Sequence, residues 1–416
     1  MTLSHRPTFL LLLKPFKGHL NASWMLPVVA FLPFLLAVPL VFQWFDFHLI
    51  WDEHLYYADL LLWRENSVWS FLTAYHQPST PLYYYLTAPV AFATGFDPTP
   101  LRCLSLLLSL AGIVVAWNLF QQQQATNQTI VVKTLLLAWS PWYFLVSFLI
   151  LNDMTALFFF LLGLLWLSRH PVAAQFSILL SVLVRQFFIF FSFVRTCREL
   201  FWERRFFPAL LSAVPGIGLL LLFCYWGGLT PPANPSVMNF DLQKYTTMMP
   251  VYGLTVTAYL VALYRWQDAV LQVRLRYRVF TGSTVAILMI SVLLWQLYPP
   301  EMSPANGLLY AVFAKCHCPV LLRQVVGFIL FVIMNGFILY ALCSRRDLLL
   351  ACALFFLGHV VIHYHMDKYI LSAVPLILTG LQPPVDRSPP WYQPAAILAL
   401  LLVLSWFQGL SAVATW

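Results

Sequence analysis

Charge is what this sequence has least of. Asp, Glu, Lys and Arg make up 9% of its 416 residues, while 61% are hydrophobic. Mean hydropathy is +0.79. A soluble domain carries about 25% charged residues, so a chain this long could not coat the surface of a water-soluble globule. The shortage excludes a soluble enzyme, a nucleic-acid-binding protein and a disordered scaffold. Cysteine is sparse too. There are seven, an odd number mostly inside apolar runs, which is no disulfide framework of the small secreted type. Also missing are a Gly-rich phosphate loop, a G-x-S-x-G elbow and an H-E-x-x-H pair. Cys316-His317-Cys318 has ligand residue types but no second Cys/His pair at suitable spacing, so zinc is not expected there. No cofactor is called for, although a divalent ion stays open. The short apolar patch Leu10–Leu13 is broken by Lys14 and Lys17, and no small-residue cleavage site follows, so a cleavable signal is not expected.

What the chain does have is long apolar runs. A membrane-crossing helix needs about 20 apolar residues, fewer when packed among others. Segments 24–44, 102–120, 130–150, 154–168, 173–184, 186–195, 206–227, 251–264, 279–298, 323–343, 348–363, 369–381 and 394–413 qualify. They predict one all-α polytopic bundle over residues 1–416. The count is thirteen spans, or between eleven and fourteen. Broken helices around Asn152-Asp153 and Arg185-Gln186 would lower it, and a span within the PSTPLYYYLTAPVAFATGF stretch would raise it.

The few charges report orientation. With the N-terminus in the cytoplasm, 16 of the 23 basic residues fall on the cytoplasmic side and 10 of the 15 acidic ones on the outer side. That is the positive-inside pattern over many loops. The formal net charge of +8 is therefore a topological label, not a nucleic-acid surface. The largest outer segment, 45–101, holds two apolar, aromatic pieces with polar residues at helical spacing, as in helices lying in the interface plane. The outer segments 228–250 and 299–322 begin Pro-rich and read as ordered loops.

Ionisable side chains at membrane depth are costly, so the ones retained are candidates for function. They gather at the outer boundary: Asp52-Glu53-His54, Asn152-Asp153, Arg185-Gln186 and the run His363, His365, Asp367, Lys368 and Tyr369. Each has a plain alternative. Asp52 and Glu53 suit a helix N-terminus, Asp153 a helix cap, Arg185 a structural ion pair with Asp153, and the His363–Tyr369 run an ordinary boundary. The set says more than its members. Acids and cations on one face of an apolar bundle suit a reaction on a phosphorylated lipid. A carboxylate takes a hydroxyl proton there, and cations offset phosphate charge.

Four of these pieces, in order, resemble the GT-C superfamily of integral-membrane glycosyltransferases that use polyprenyl-phosphate sugars. Trp51-Asp52-Glu53 matches the acidic motif opening the first outer loop. The segment from Pro78 to Tyr84 matches the (H)PP-x-Y stretch of protein mannosyltransferase-like and aminoarabinose transferase-like members. The run LAWSP ending at Pro141, with NDMTALFFF from Asn152, matches their SP…TD-x-x-L-x-F-F stretch. HMDKYILSAVP from His365 matches their H-x-RY-x-L-x-x-x-P ending. Val184-Arg185-Gln186 and Trp226-Gly227-Gly228-Leu229 are similar to the dolichyl-phosphoglucose α-1,2-glucosyltransferase branch. Lys368 stands where the family has Arg, and Ser79-Thr80 where many members have His-Pro.

The resemblance implies inverting transfer of a hexose or related sugar from a polyprenyl-phosphate carrier to an acceptor hydroxyl at the outer face. The acceptor is a glycan, lipid or protein, and nucleic acid is no partner. The resemblance gives Asp52 the role of general base, Glu53 that of orienting it, and Asp153 that of a second carboxylate. Arg185 and Lys368 would contact the donor phosphate, with Gln186, His363, His365, Asp367 and Tyr369 lining the substrate site. The compact loops, without an ER retrieval signal, favour a bacterial inner membrane over the endoplasmic reticulum. A transporter or flippase of lipid-linked sugar is the rival, but it would place charges along a midplane path between repeat halves.

Overall fold

The computed structural model describes residues 25–44, 49, 52–123, 126–234, 241–264, 277–301, 308–343, 346–358, 370–383 and 389–414. Among them there is no strand; the regular structure is helical throughout. Four helices are long and apolar enough to cross a membrane: Pro98–Gln122, Phe206–Trp226, Leu242–Leu263 and Val320–Cys343. These are the properties of an integral-membrane protein.

The N-terminal half supplies α1 (Met25–Trp44), α2 (Glu53–Leu62), α3 (Val68–Ala74), α4 (Leu82–Ala93) and α5 (Pro98–Gln122). Local chemistry sets several boundaries. Ser67 caps α3 by accepting from Ser70 N at 3.2 Å, and Asp97 caps α5 by accepting from Thr99 N at 2.8 Å. Pro98 at the first position of α5 gives up no helical hydrogen bond. Segment 45–101 thus contains three short helices before α5 begins.

The expected span 130–150 is divided. It forms α6 (Asn127–Ala138) and α7 (Pro141–Val146), parted at Ser140, which Pro141 holds out of the helical region. Next come α8 (Asn152–Trp166) and α9 (Pro171–Val184), an antiparallel hairpin. Gly163 lets the pair close up, since a Cβ there would lie 2.6 Å from Ile178 and 3.0 Å from the Ala174 carbonyl. Ser177 and Ser181 donate across it to the Phe159 and Ala156 carbonyls at 2.8 and 2.7 Å. At Arg185 the backbone turns extended, with φ −151° and ψ 113°, and helical geometry resumes in a 3₁₀ turn, Gln186–Phe188. α9 is therefore not continuous with α10 (Ile189–Cys197).

α11 (Phe206–Trp226) stops at Gly227, which sits left-handed at φ 69°. α12 (Leu242–Leu263) starts well before the expected 251. Asp241 caps it through Gln243 N at 2.9 Å, and Tyr245, Met248 and Met249 bury their side chains, so the last nine residues of the expected loop 228–250 are helix. The rest comprises α13 (Tyr277–Leu297), α14 (Leu308–Lys315), α15 (Val320–Cys343), α16 (Asp347–Gly358), α17 (Ile370–Gly380) and α18 (Tyr392–Ala414). α14 lies in the expected loop 299–322.

Two ends can be told apart. α10 and α16 run antiparallel: Arg198, just past α10, pairs with Asp347 at 2.9 Å, while a Cβ on Gly358 would meet the Phe190 ring at 2.9 Å. At the Arg198 end also lie the loop of the α8–α9 hairpin and the Lys133–Gln123–Leu381 contacts. The other end carries the start of α2, the start of α8 and the end of α9, together with the closing turn of α16 and the start of α17.

Candidate functional site

Asp52 stands just before α2 and is half-buried; its carbonyl accepts from Leu55 and Tyr56 N at 3.0 and 3.1 Å. Glu53, the next residue, is wholly buried. Arg102 of α5 reaches it through Nε to Oε1 at 3.0 Å and Nη2 to Oε2 at 2.7 Å. Ile150 N donates to the same Oε1 at 2.7 Å. One carboxylate thus joins the start of α2, the start of α5 and the turn before α8. A desolvated charge needs partners of this kind.

A second buried pair lies alongside. Asp153 and Arg185, 3% and 5% exposed, meet at 2.9 Å between Oδ1 and Nη1. The same Nη1 donates to Asn152 Oδ1 at 2.5 Å, and Tyr56 OH donates to that oxygen at 3.1 Å. Asn152 Nδ2 returns a bond to the Val184 carbonyl at 3.0 Å. The Arg185 guanidinium lies 5.3 Å from the centre of the Phe187 ring. Asp153 makes no side-chain cap; it sits in the first turn of α8, where the helix dipole favours a negative charge. Its Oδ2 is buried with no hydrogen-bond partner among the described residues.

Residues 78–80, before α4, are tied onto the same place. Gln186 Nε2 donates to the Pro78 carbonyl at 2.9 Å, and Thr80 Oγ1 to the Val182 carbonyl at 3.0 Å. Gln186 Oε1 and Ser79 Oγ are buried there, without partners among the described residues. Residues Asp52, Glu53, Asp153, Arg185 and Gln186 therefore converge, although Gln186 lies 134 positions after Asp52 in sequence.

Three contributors were not picked out from sequence. Arg102 opens an apolar run, and a cation there has to find a partner rather than lipid; that was the available signal. Tyr56 follows Glu53 by three residues and shares its buried face. Asp59 continues that face. Only 1% exposed, it accepts from His76 N at 3.0 Å, Gln77 N at 3.1 Å, Tyr84 OH at 3.0 Å and His76 Nδ1 at 3.2 Å. Burial first, then the charge of Asp59, pushes the Tyr84 phenol well up, which keeps it a donor.

No family model, curated protein or solved structure matches the chain.

His363, His365, Asp367, Lys368 and Tyr369 lie outside the described residues, as does Trp51. Their flanks are placed, however. Gly358 closes α16 against Phe190, and Ile370 opens α17 at the end opposite the Gln123–Thr379 contact. Among the described residues no three His, Cys, Asp or Glu side chains group as metal ligands.

Proposed function

We propose that this chain is a GT-C-like glycosyltransferase that moves a hexose or related sugar from a polyprenyl phosphate to an acceptor hydroxyl at the outer membrane face. One observation carries the reading: two buried acid–arginine pairs, drawn from separate helices, lie beside a half-buried Asp52 at one end of an apolar bundle. Ordinary packing has little use for four desolvated charges. A site that must hold a phosphate and take a proton has use for them all.

Asp52 accepts the proton of the acceptor hydroxyl. The acceptor oxygen bonds to the anomeric carbon as the bond from that carbon to the phosphate oxygen breaks, with inversion. Glu53, fixed by Arg102, holds the backbone from which Asp52 projects. Arg185, aimed by Asp153 and Asn152, offsets charge on the leaving phosphate together with Lys368; His363, His365, Asp367 and Tyr369 complete the substrate site. The thirteen-span architecture, the interfacial position of segment 45–101 and a bacterial inner membrane belong to the same reading.

The test uses the purified full chain in nanodiscs with radiolabelled polyprenyl-phosphate glucose and mannose, and a membrane extract as the source of acceptor. Wild type should transfer label, whereas Asp52→Asn should bind the donor lipid without transferring it. Normal turnover by Asp52→Asn removes Asp52 as the base. A wild type inert towards each donor removes the reading.

A further inference from the structure

His76 combines two properties that rarely coincide by accident. Its side chain is 62% exposed, yet the residue is held by three hydrogen bonds to two partners. Nδ1 donates to Asp59 Oδ1 at 3.2 Å, its backbone N donates to the same oxygen at 3.0 Å, and its carbonyl accepts from Asn234 Nδ2. The neighbouring turn is pinned as well, by Trp226 Nε1 to the Leu72 carbonyl at 2.8 Å and by Tyr75 OH to the Ser79 carbonyl at 2.7 Å. Asp59 does not need the imidazole, because His76 N, Gln77 N and Tyr84 OH already satisfy it. The contact acts the other way and fixes the ring. A carboxylate accepts here, so a hydrogen sits on Nδ1, and Nε2 of the exposed ring is left for a further hydrogen bond. That is the base-and-orienter arrangement of nucleophilic enzymes, displayed at a surface.

Its position limits what it can do. Asp59 follows Asp52 by seven residues, so the two lie about 10 Å apart along the α2 axis at 1.5 Å per residue. One hydroxyl cannot reach both ends. A molecule carrying several hydroxyls can. We propose that His76, oriented by Asp59, is a hydroxyl-binding station for a saccharide acceptor whose reacting end lies at Asp52. A serine or lipid hydroxyl would leave the station without a ligand. The assignment rests on the glycosyl-transfer reading for the role of Asp52; the binding of a neutral saccharide at His76 does not.

The full chain in nanodiscs is labelled with diethylpyrocarbonate, and the modified peptides are quantified by mass spectrometry. The probes are maltotriose, mannotriose and inorganic phosphate, and exposed His170 at the opposite end of the bundle serves as the internal reference. One of the trisaccharides should slow labelling of His76 at least threefold against His170, and phosphate should not. Saturation-transfer signals of that trisaccharide should disappear in His76→Asn, whose exposed ring makes the substitution tolerable for folding. In Asp59→Asn the protection should be lost. Equal labelling with and without both trisaccharides overturns the proposal, as does protection by phosphate alone. A wild type that transfers no sugar yet shows the protection would sink the glycosyl-transfer reading and leave this site standing.

Discussion

Arg102 holds Glu53 by two parallel hydrogen bonds of 3.0 and 2.7 Å, although 49 residues separate them and both are almost wholly buried. Removing one partner strands the other charge in the interior. Arg102→Ala should therefore cost about 3–5 kcal/mol, whereas Arg102→Met combined with Glu53→Leu should recover most of that loss. Thermal unfolding in detergent, followed by fluorescence-detected gel filtration, makes the comparison. A single variant as stable as the double one contradicts it.

Arg185 gives a prediction that separates binding from scaffolding. Arg185→Lys keeps the charge but removes the planar guanidinium, whose Nη1 serves Asp153 and Asn152 together. Arg185→Ala should weaken affinity for polyprenyl-phosphate hexose at least tenfold, with Arg185→Lys in between. Donor affinity and transfer unchanged in Arg185→Ala would reduce the residue to a structural ion pair.

Asn152 is the joint between three elements, through Tyr56, Arg185 and the Val184 carbonyl. Asn152→Leu should destabilise by about 1–3 kcal/mol for each polar group it leaves unsatisfied. Tyr56→Phe removes one donor and should cost about 1 kcal/mol. Reversal of that order in matched melting experiments would show that the Tyr56 bond carries more than its geometry implies.

α12 and α15 meet at Gly253, where a Cβ would come within 2.5 Å of the Leu330 carbonyl oxygen. Backbone cannot rotate aside as a flexible side chain can. Gly253→Ala should force the two helices apart and cost about 1–3 kcal/mol. A melting temperature equal to that of wild type would mean the contact is looser than described.

Periodicity and apolar length made the helices legible, and the scarcity of charge drew attention to Glu53, Asp153 and Arg185. The Asp153–Arg185 pair could be anticipated because each residue interrupts an apolar run that no lone charge tolerates. The pairing of Glu53 with Arg102 could not, since nothing local connects an acid in one turn with a cation in another helix. Asp59 stayed hidden for the same reason: three of its four hydrogen bonds come from residues 17 and 18 positions away, two of them backbone donors. The extension of α12 back to Leu242 was obscured by Pro250, which lies inside the helix instead of ending it.

The break at Arg185 has one more consequence. A continuous helix keeps its carbonyls for itself. By stopping at Val184, α9 leaves the Val182 and Val184 oxygens to outsiders, and the takers are Thr80, just before α4, and Asn152 of the preceding helix, α8. The interruption thus works as a socket, into which distant parts of the chain plug. Any sequence that healed it would unplug the Pro78–Thr80 stretch, so the discontinuity and the site are bound to persist or vanish together.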